Sequence, residues 1–271
     1  SLGWGHLIDL RDVKVGEFVQ SVDPQTFEAT AGEVLNFASM GERDTFAVRL
    51  RSGDLLEATS DHLVLTTDGW KCVADLRPGD LVGRPPSAME PESIDDGPTP
   101  ERAAVLGYLL GDGGLSVGSS VIFSNKDESV LAAYREAVKA AFPDVVHSER
   151  TGDRNVRHLR AGSGSGGGGR ANSLTEWLRS AGLKAPAAQW RDGGPTSADK
   201  FVPVDFLRAR PEVVARLLAA LWDCDGYVSA PGDRYATTYK TISRQLAEDV
   251  RFLLLRLGIA SHIALHDYAP L

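Results

Sequence analysis

LAALWDCDG (218–226) and VLGYLLGDGGLS (105–116) are the two stretches whose reading decides the fold. Each is an apolar run with a small residue at its third position, Gly107 or Ala220, and each ends in Asp-Gly-x-x-Ser. An amphipathic stretch follows both: DESVLAAYREAVKAAF after Asp112 and SRQLAEDVRFLLLRLGI after Asp225, with apolar residues at helical spacing. One apolar helix ending in Asp-Gly is a common way to stop a helix. Two of them, with Asp112 and Asp225 standing 113 residues apart and the same order downstream, describe a duplicated helix–strands–helix unit.

The small residues at Gly107 and Ala220 would let two helix backbones approach closely, so that their C-terminal ends meet and Asp112 lies beside Asp225. A helix C-terminus carries partial negative charge and spare carbonyl oxygens. A carboxylate added there makes an oxygen-rich place for a hard divalent cation, with backbone near Gly111 and Cys224 available as further ligands. Both nine-residue stretches resemble the LAGLIDADG motif of homing endonucleases, closely at 218–226 and loosely at 105–113. The resemblance implies a metal-dependent nuclease in which Asp112 and Asp225 share Mg²⁺ (or Mn²⁺) and hydrolyse phosphodiesters in both strands of a DNA target. It also implies that SVGSSVIFSN (116–125) and YVSAPGDRYATTYKT (227–241) form strands against duplex DNA, with a basic residue near the metals. Lys126 and Lys240 lie just beyond or at the end of those strands; they do not align in the repeat, and an ordinary surface role is the alternative for each. Asp223, opposite Leu110 in the first copy, is either a supporting group or a solvated one.

Residues 7–82 read differently. EFVQSV, FAVRL, LLEAT and HLVLTT alternate apolar and polar side chains between turn residues such as RSGD (51–54) and DGW (68–70), the pattern of an all-β module. Within it ATSDHLVLTTDGWKCVADLRPGDLV (58–82) resembles a conserved block of the Hint fold of inteins and hedgehog-type autoprocessing domains. Thr59 and His62 form its T-x-x-H. The resemblance implies that they contact the N-terminal splice junction, His62 protonating the departing amide nitrogen. The alternative is a histidine capping a β-turn. In an intein a Cys or Ser nucleophile precedes the GWGHLIDL-type segment by ten residues or more, and a His-Asn pair closes the fold. Here GWGHLIDL begins at Gly3 and no His-Asn dipeptide occurs, so the chain by itself is not expected to splice.

The expected architecture is therefore a partial all-β Hint-like splicing domain over 1–84, lacking its first strand and C-terminal part, and a linker over 85–99. An α+β LAGLIDADG endonuclease domain follows over 100–271. That domain holds two pseudo-symmetric αββα-type repeats, about 100–185 and about 200–271, the second truncated. The Gly/Ser stretch AGSGSGGGGRANS (161–173) is a linker or a long hairpin loop. SLTEWLRSAGL and RPEVVARLLAALWDCDG complete the helices, with Pro211 in a first turn.

The 271 residues carry a formal charge of −8, which at first sight argues against a nucleic-acid partner. The acidity is local: residues 1–99 hold 8 Lys and Arg against 18 Asp and Glu, and residues 100–271 hold 21 against 19. No apolar run of about 18 residues suggests a membrane span. Cys72 and Cys224 have neither disulfide-framework nor zinc-type spacing, so an intracellular, reducing, cytoplasmic setting is expected. Double-stranded DNA, and a host protein joined in cis, are the expected partners of a monomeric chain. The other functional readings are a free-standing LAGLIDADG endonuclease or RNA-splicing maturase, and a decayed insertion that keeps the fold without cleavage.

Overall fold

The computed structural model describes residues 10–23, 25, 26, 28–51, 55–83, 97–115, 120–163, 172–185, 195–230 and 235–266. The GWGHLIDL segment up to Asp9, most of the RSGD turn, most of the 85–99 linker and the last five residues lie outside them. The chain divides into two compact units, Ser1–Glu92 with Leu254–Leu271, and Ser93–Leu253.

In the first unit the described strands pair as three antiparallel hairpins: β1 (Phe18–Val22) with β2 (Ala29–Glu33), β3 (Thr45–Arg49) with β4 (Leu55–Thr59), and β5 (Leu63–Thr66) with β6 (Gly69–Cys72). Gly69, at φ +100°, takes the left-handed conformation after the Thr67-Asp68 turn, where a β-carbon would be strained. The alternation marks the strands because only one face is covered. Ala58, Val64 and Val73 form a small core flanked by Val48, Leu56, Leu76 and Val82.

The second unit is built on helices whose starts are written in their caps. α1 (Pro100–Asp112) follows Thr99, whose hydroxyl accepts from the Arg102 amide, and has Pro at its first position. The strands β7 (Gly113–Gly114) and β8 (Ile122–Asn125) lead to α2 (Glu128–Ala141), capped by Asp127. β9 (Val145–Thr151) and β10 (Arg157–Ser163) follow, then α3 (Ser173–Ser180), capped by Asn172 and stopped before Gly182 at φ +75°. A single turn, α4 (Val204–Leu207), precedes α5 (Pro211–Asp225). The hairpin β11 (Gly226–Ser229) and β12 (Ala236–Tyr239) comes next, and then α6 (Arg244–Arg256), where the Ser243 hydroxyl accepts from the Leu246 amide.

The first copy thus has more than the expected αββα order: helix, two strands, helix, two strands, helix, with an antiparallel sheet ordered β7-β8-β10-β9. β9 and β10 escape a hydrophobicity reading because their inner positions mix Leu159 and Ala161 with Arg157, His147, Glu149 and Thr151, so no apolar alternation runs along either strand. The Gly/Ser stretch joins β10 to α3, so it connects strand to helix rather than two paired strands. Phe123 and Leu159, on the inner face of the sheet, are fully buried. Phe123 stacks on Tyr134 at 4.2 Å, with Tyr108 edge-on at 5.9 Å, which ties α1, α2 and the sheet into one core.

Candidate active site

α1 and α5 pack together at their small residues. A β-carbon on Gly107 would lie 2.3 Å from the Leu217 carbonyl oxygen and 2.8 Å from the Ala220 β-carbon; one on Gly111 would lie 2.5 Å from the Cys224 β-carbon. Neither position has room for one, which is why the backbones come so close. Gly113 and Gly226 then turn each chain from helix to strand. At both, a β-carbon would strike a carbonyl oxygen of its own last helical turn, Leu109 at 2.3 Å and Trp222 at 2.4 Å.

This brings Asp112 and Asp225 to the shared end of the helix pair. The Asp225 carboxylate is held above the usual range by partial desolvation and then by the negative charge of Asp112. Asn125 Nδ2 donates to Asp112 Oδ2 at 2.6 Å. Cys224 Sγ lies 3.8 Å from the Tyr108 carbonyl oxygen, and its thiol is pushed far up by burial and by Asp112. It is a packing residue rather than a thiolate. Asp223 accepts from the Tyr108 hydroxyl at 3.2 Å.

The basic group in this centre is Lys200. Its side chain is buried, and Nζ donates to the carbonyl oxygens of Leu110 (2.8 Å), Gly111 (3.0 Å) and Leu109 (3.3 Å). Burial lowers its pKa; the charges of Asp225 and Asp112 pull the other way. The α1 carbonyls that looked spare, Gly111 among them, are therefore engaged by an ammonium group. Lys126 and Lys240 are both exposed, the first one residue beyond Asn125 and the second one beyond Tyr239, which packs against Trp222 at 5.3 Å. Sequence reading missed Lys200 because it stands 89 residues after Gly111, outside both repeats' strands. It missed Asn125 because amides carry no motif.

Two neighbouring carboxylates, one of them with its pKa raised by desolvation and by the charge of the other, are hard oxygen ligands that fit a divalent cation. Among the described residues no group of three or more His, Cys, Asp and Glu side chains gathers, so the remaining ligands would be backbone, solvent or substrate oxygens.

In the first unit Thr59 ends β4, and the His62 amide donates to the Thr59 carbonyl at 3.1 Å, making Thr59–His62 one tight turn. The Asp61 carboxylate is held low by the Thr59 hydroxyl and by backbone amide. The His62 imidazole is exposed on that turn.

Residues 212–268 match the LAGLIDADG-like domain. Relatives align along nearly all of the chain: the replicative DNA helicase DnaB of Rhodothermus marinus is 29% identical over 95% of this chain and 27% of its own length. RecA of Mycobacterium tuberculosis is 29% identical over 89% and 28%, and the DNA gyrase A protein of Mycolicibacterium flavescens 30% over 98% and 48%. The chain thus spans between about a quarter and a half of these relatives. Among solved structures, the homing endonuclease I-DmoI in complex with DNA and Mn aligns with a TM-score of 0.41 and 16% identity, over 62% of this chain and 84% of that one.

Proposed function

We propose that this chain is the nuclease-bearing part of an intein: a site-specific, metal-dependent double-strand DNA endonuclease set within a protein-splicing element. The observation that carries the nuclease is the packing of α1 on α5 at Gly107 and Gly111, which puts Asp112 beside Asp225. Asp112 and Asp225 are the residues that would hold Mg²⁺ or Mn²⁺, which would supply water activation and offset phosphate charge. Asn125 fixes the Asp112 carboxylate, and Lys200 keeps a positive charge next to the pair, where negative charge builds on the cleaved phosphate. One chain supplies both acidic groups, so a monomer can address both strands.

The splicing context rests on the relatives. A replicative DNA helicase, RecA and a gyrase subunit are differently named proteins, yet each aligns with nearly all of this chain. A shared insert accounts for that more simply than a shared activity. It favours the intein over a free-standing endonuclease or maturase. Thr59 and His62 are then the junction-contacting residues, and the host protein is the partner in cis. Two free thiols suit a reducing, intracellular setting.

The test is cleavage of plasmids carrying uninterrupted DnaB, RecA or gyrase A coding sequence, with Mg²⁺. One double-strand cut is expected, lost with chelator and in Asp112→Ala and Asp225→Ala. Absence of any cut, or a cut that survives Asp225→Ala, would sink the nuclease and leave a decayed insertion. For splicing, His62→Ala in a precursor with restored flanks should stop cleavage at the N-terminal junction, and an unchanged yield rejects the role.

A further inference from the structure

The arginines of the four-stranded sheet are divided between its faces. On the inner face Arg157, beside buried Leu159, pairs with Glu149 and Glu128; Arg135 of α2 joins them, 2.6 Å from Glu149. These charges are neutralised. The outer face carries two rows across β8, β10 and β9: Ser124, His158 and Arg150, then Ile122, Arg160 and Ser148. No carboxylate pairs with Arg150 or Arg160 among the described residues.

Within this face Arg160 is pre-organised. It is exposed, and its Nε donates to Ser120 Oγ at 2.7 Å, which holds the guanidinium plane and leaves the terminal nitrogens available. His158, by contrast, is occupied: Nδ1 lies 2.8 Å from Ser124 Oγ, and Nε2 sits where a β-carbon on residue 152 would be, 2.4 Å away. The neighbours of Arg160 are hydroxyls and the apolar Ile122, a mixture suited to base edges. A face for phosphate alone needs only scattered positive charge.

We infer that Arg160, held by Ser120, is a specificity-determining residue that reads guanine through its O6 and N7 in the major groove of the DNA half-site under the first repeat. This rests on the DNA-cutting reading above. A guanidinium with two parallel donors matches those acceptors, and its loss costs discrimination at one base pair. A phosphate contact would behave otherwise, weakening every sequence alike and lowering the salt dependence.

The experiment is selection of bound duplexes from a randomised pool by the full chain, its Arg160→Ala and Arg160→Lys variants and Ser120→Ala, each first matched for thermal unfolding. The unmodified chain is expected to enrich a motif with a guanine that Arg160→Ala and Arg160→Lys no longer select. Affinity for that duplex should fall about tenfold or more, with little change for duplexes already lacking the guanine. Ser120→Ala should blur the same position. An unchanged motif in Arg160→Ala, or uniform weakening with a salt slope reduced by about one, overturns the inference while leaving DNA binding intact. If the unmodified chain enriches nothing, the DNA reading itself falls.

Discussion

The two motif helices end alike and are finished differently. After α1, Leu115 is only 4% exposed, and Lys184 ties its carbonyl to that of Ser120 at 2.9 and 3.2 Å. At the matching place after α5, Val228 is 62% exposed. The first copy is closed by β9, β10 and α3, whereas among the described residues the second has only the β11–β12 hairpin and α6. The acidic ends differ too: Asp112 accepts from Asn125, and its helix end from Lys200, while the Asp225 carboxylate is held up by desolvation and by Asp112, with only the Lys200 charge opposing them. A duplicated sequence gives two equivalent helices, and the surroundings then assign them unequal tasks.

The largest effect on this pair should come from its point of contact. Gly107→Val drives a side chain into the Leu217 carbonyl, and a loss of about 3 kcal/mol in denaturant unfolding is expected. A small loss would mean the helices can part without cost. Next, Lys200→Met removes the donor to three carbonyls at the α1 end; about 2 kcal/mol of stability should go, with cleavage down about a hundredfold. Cleavage at the unmodified rate would return Lys200 to a purely structural role. Tyr108→Phe removes the hydrogen bond to Asp223; burial first, and then the Asp223 charge, pushes that phenol up to about 12. That bond has no counterpart where Leu221 and Leu110 stand, and a cost of about 1 kcal/mol is expected by thermal unfolding.

The smallest effect has the opposite sign. Because folding raises the Asp225 pKa, its ionised form weakens the fold at neutral pH, and that penalty fades as pH falls through the folded value. Asp225→Asn should therefore raise Tm slightly at pH 7 and leave it unchanged below the ordinary carboxylate range. Mg²⁺ should raise the Tm of the unmodified chain more than that of the variant. A Tm that drops at pH 7 would show that the carboxylate makes a favourable contact instead.

Legibility followed periodicity. α1, α2, α5 and α6 were readable because a buried stripe repeats at helical spacing between caps, and β3 to β5 because one face is apolar. β9 and β10 were not, since RHLRAGS places Arg and Gly where a hydrophobic alternation would be sought. Asp112 and Asp225 were readable as a repeat, and Gly107 and Ala220 as its small residues. Lys200 and Asn125 were not, because nothing local distinguishes them from solvated neighbours such as Lys126.

The sequence by itself determined that two helices end in Asp-Gly with small residues at one register, because backbone approach and an abrupt helix end each exclude a larger side chain. Only the tertiary structure decided which cation serves the acidic pair and which arginines face outward. A buried ammonium is chosen by the carbonyls it reaches, and an arginine is left available when the carboxylates are all on the other face.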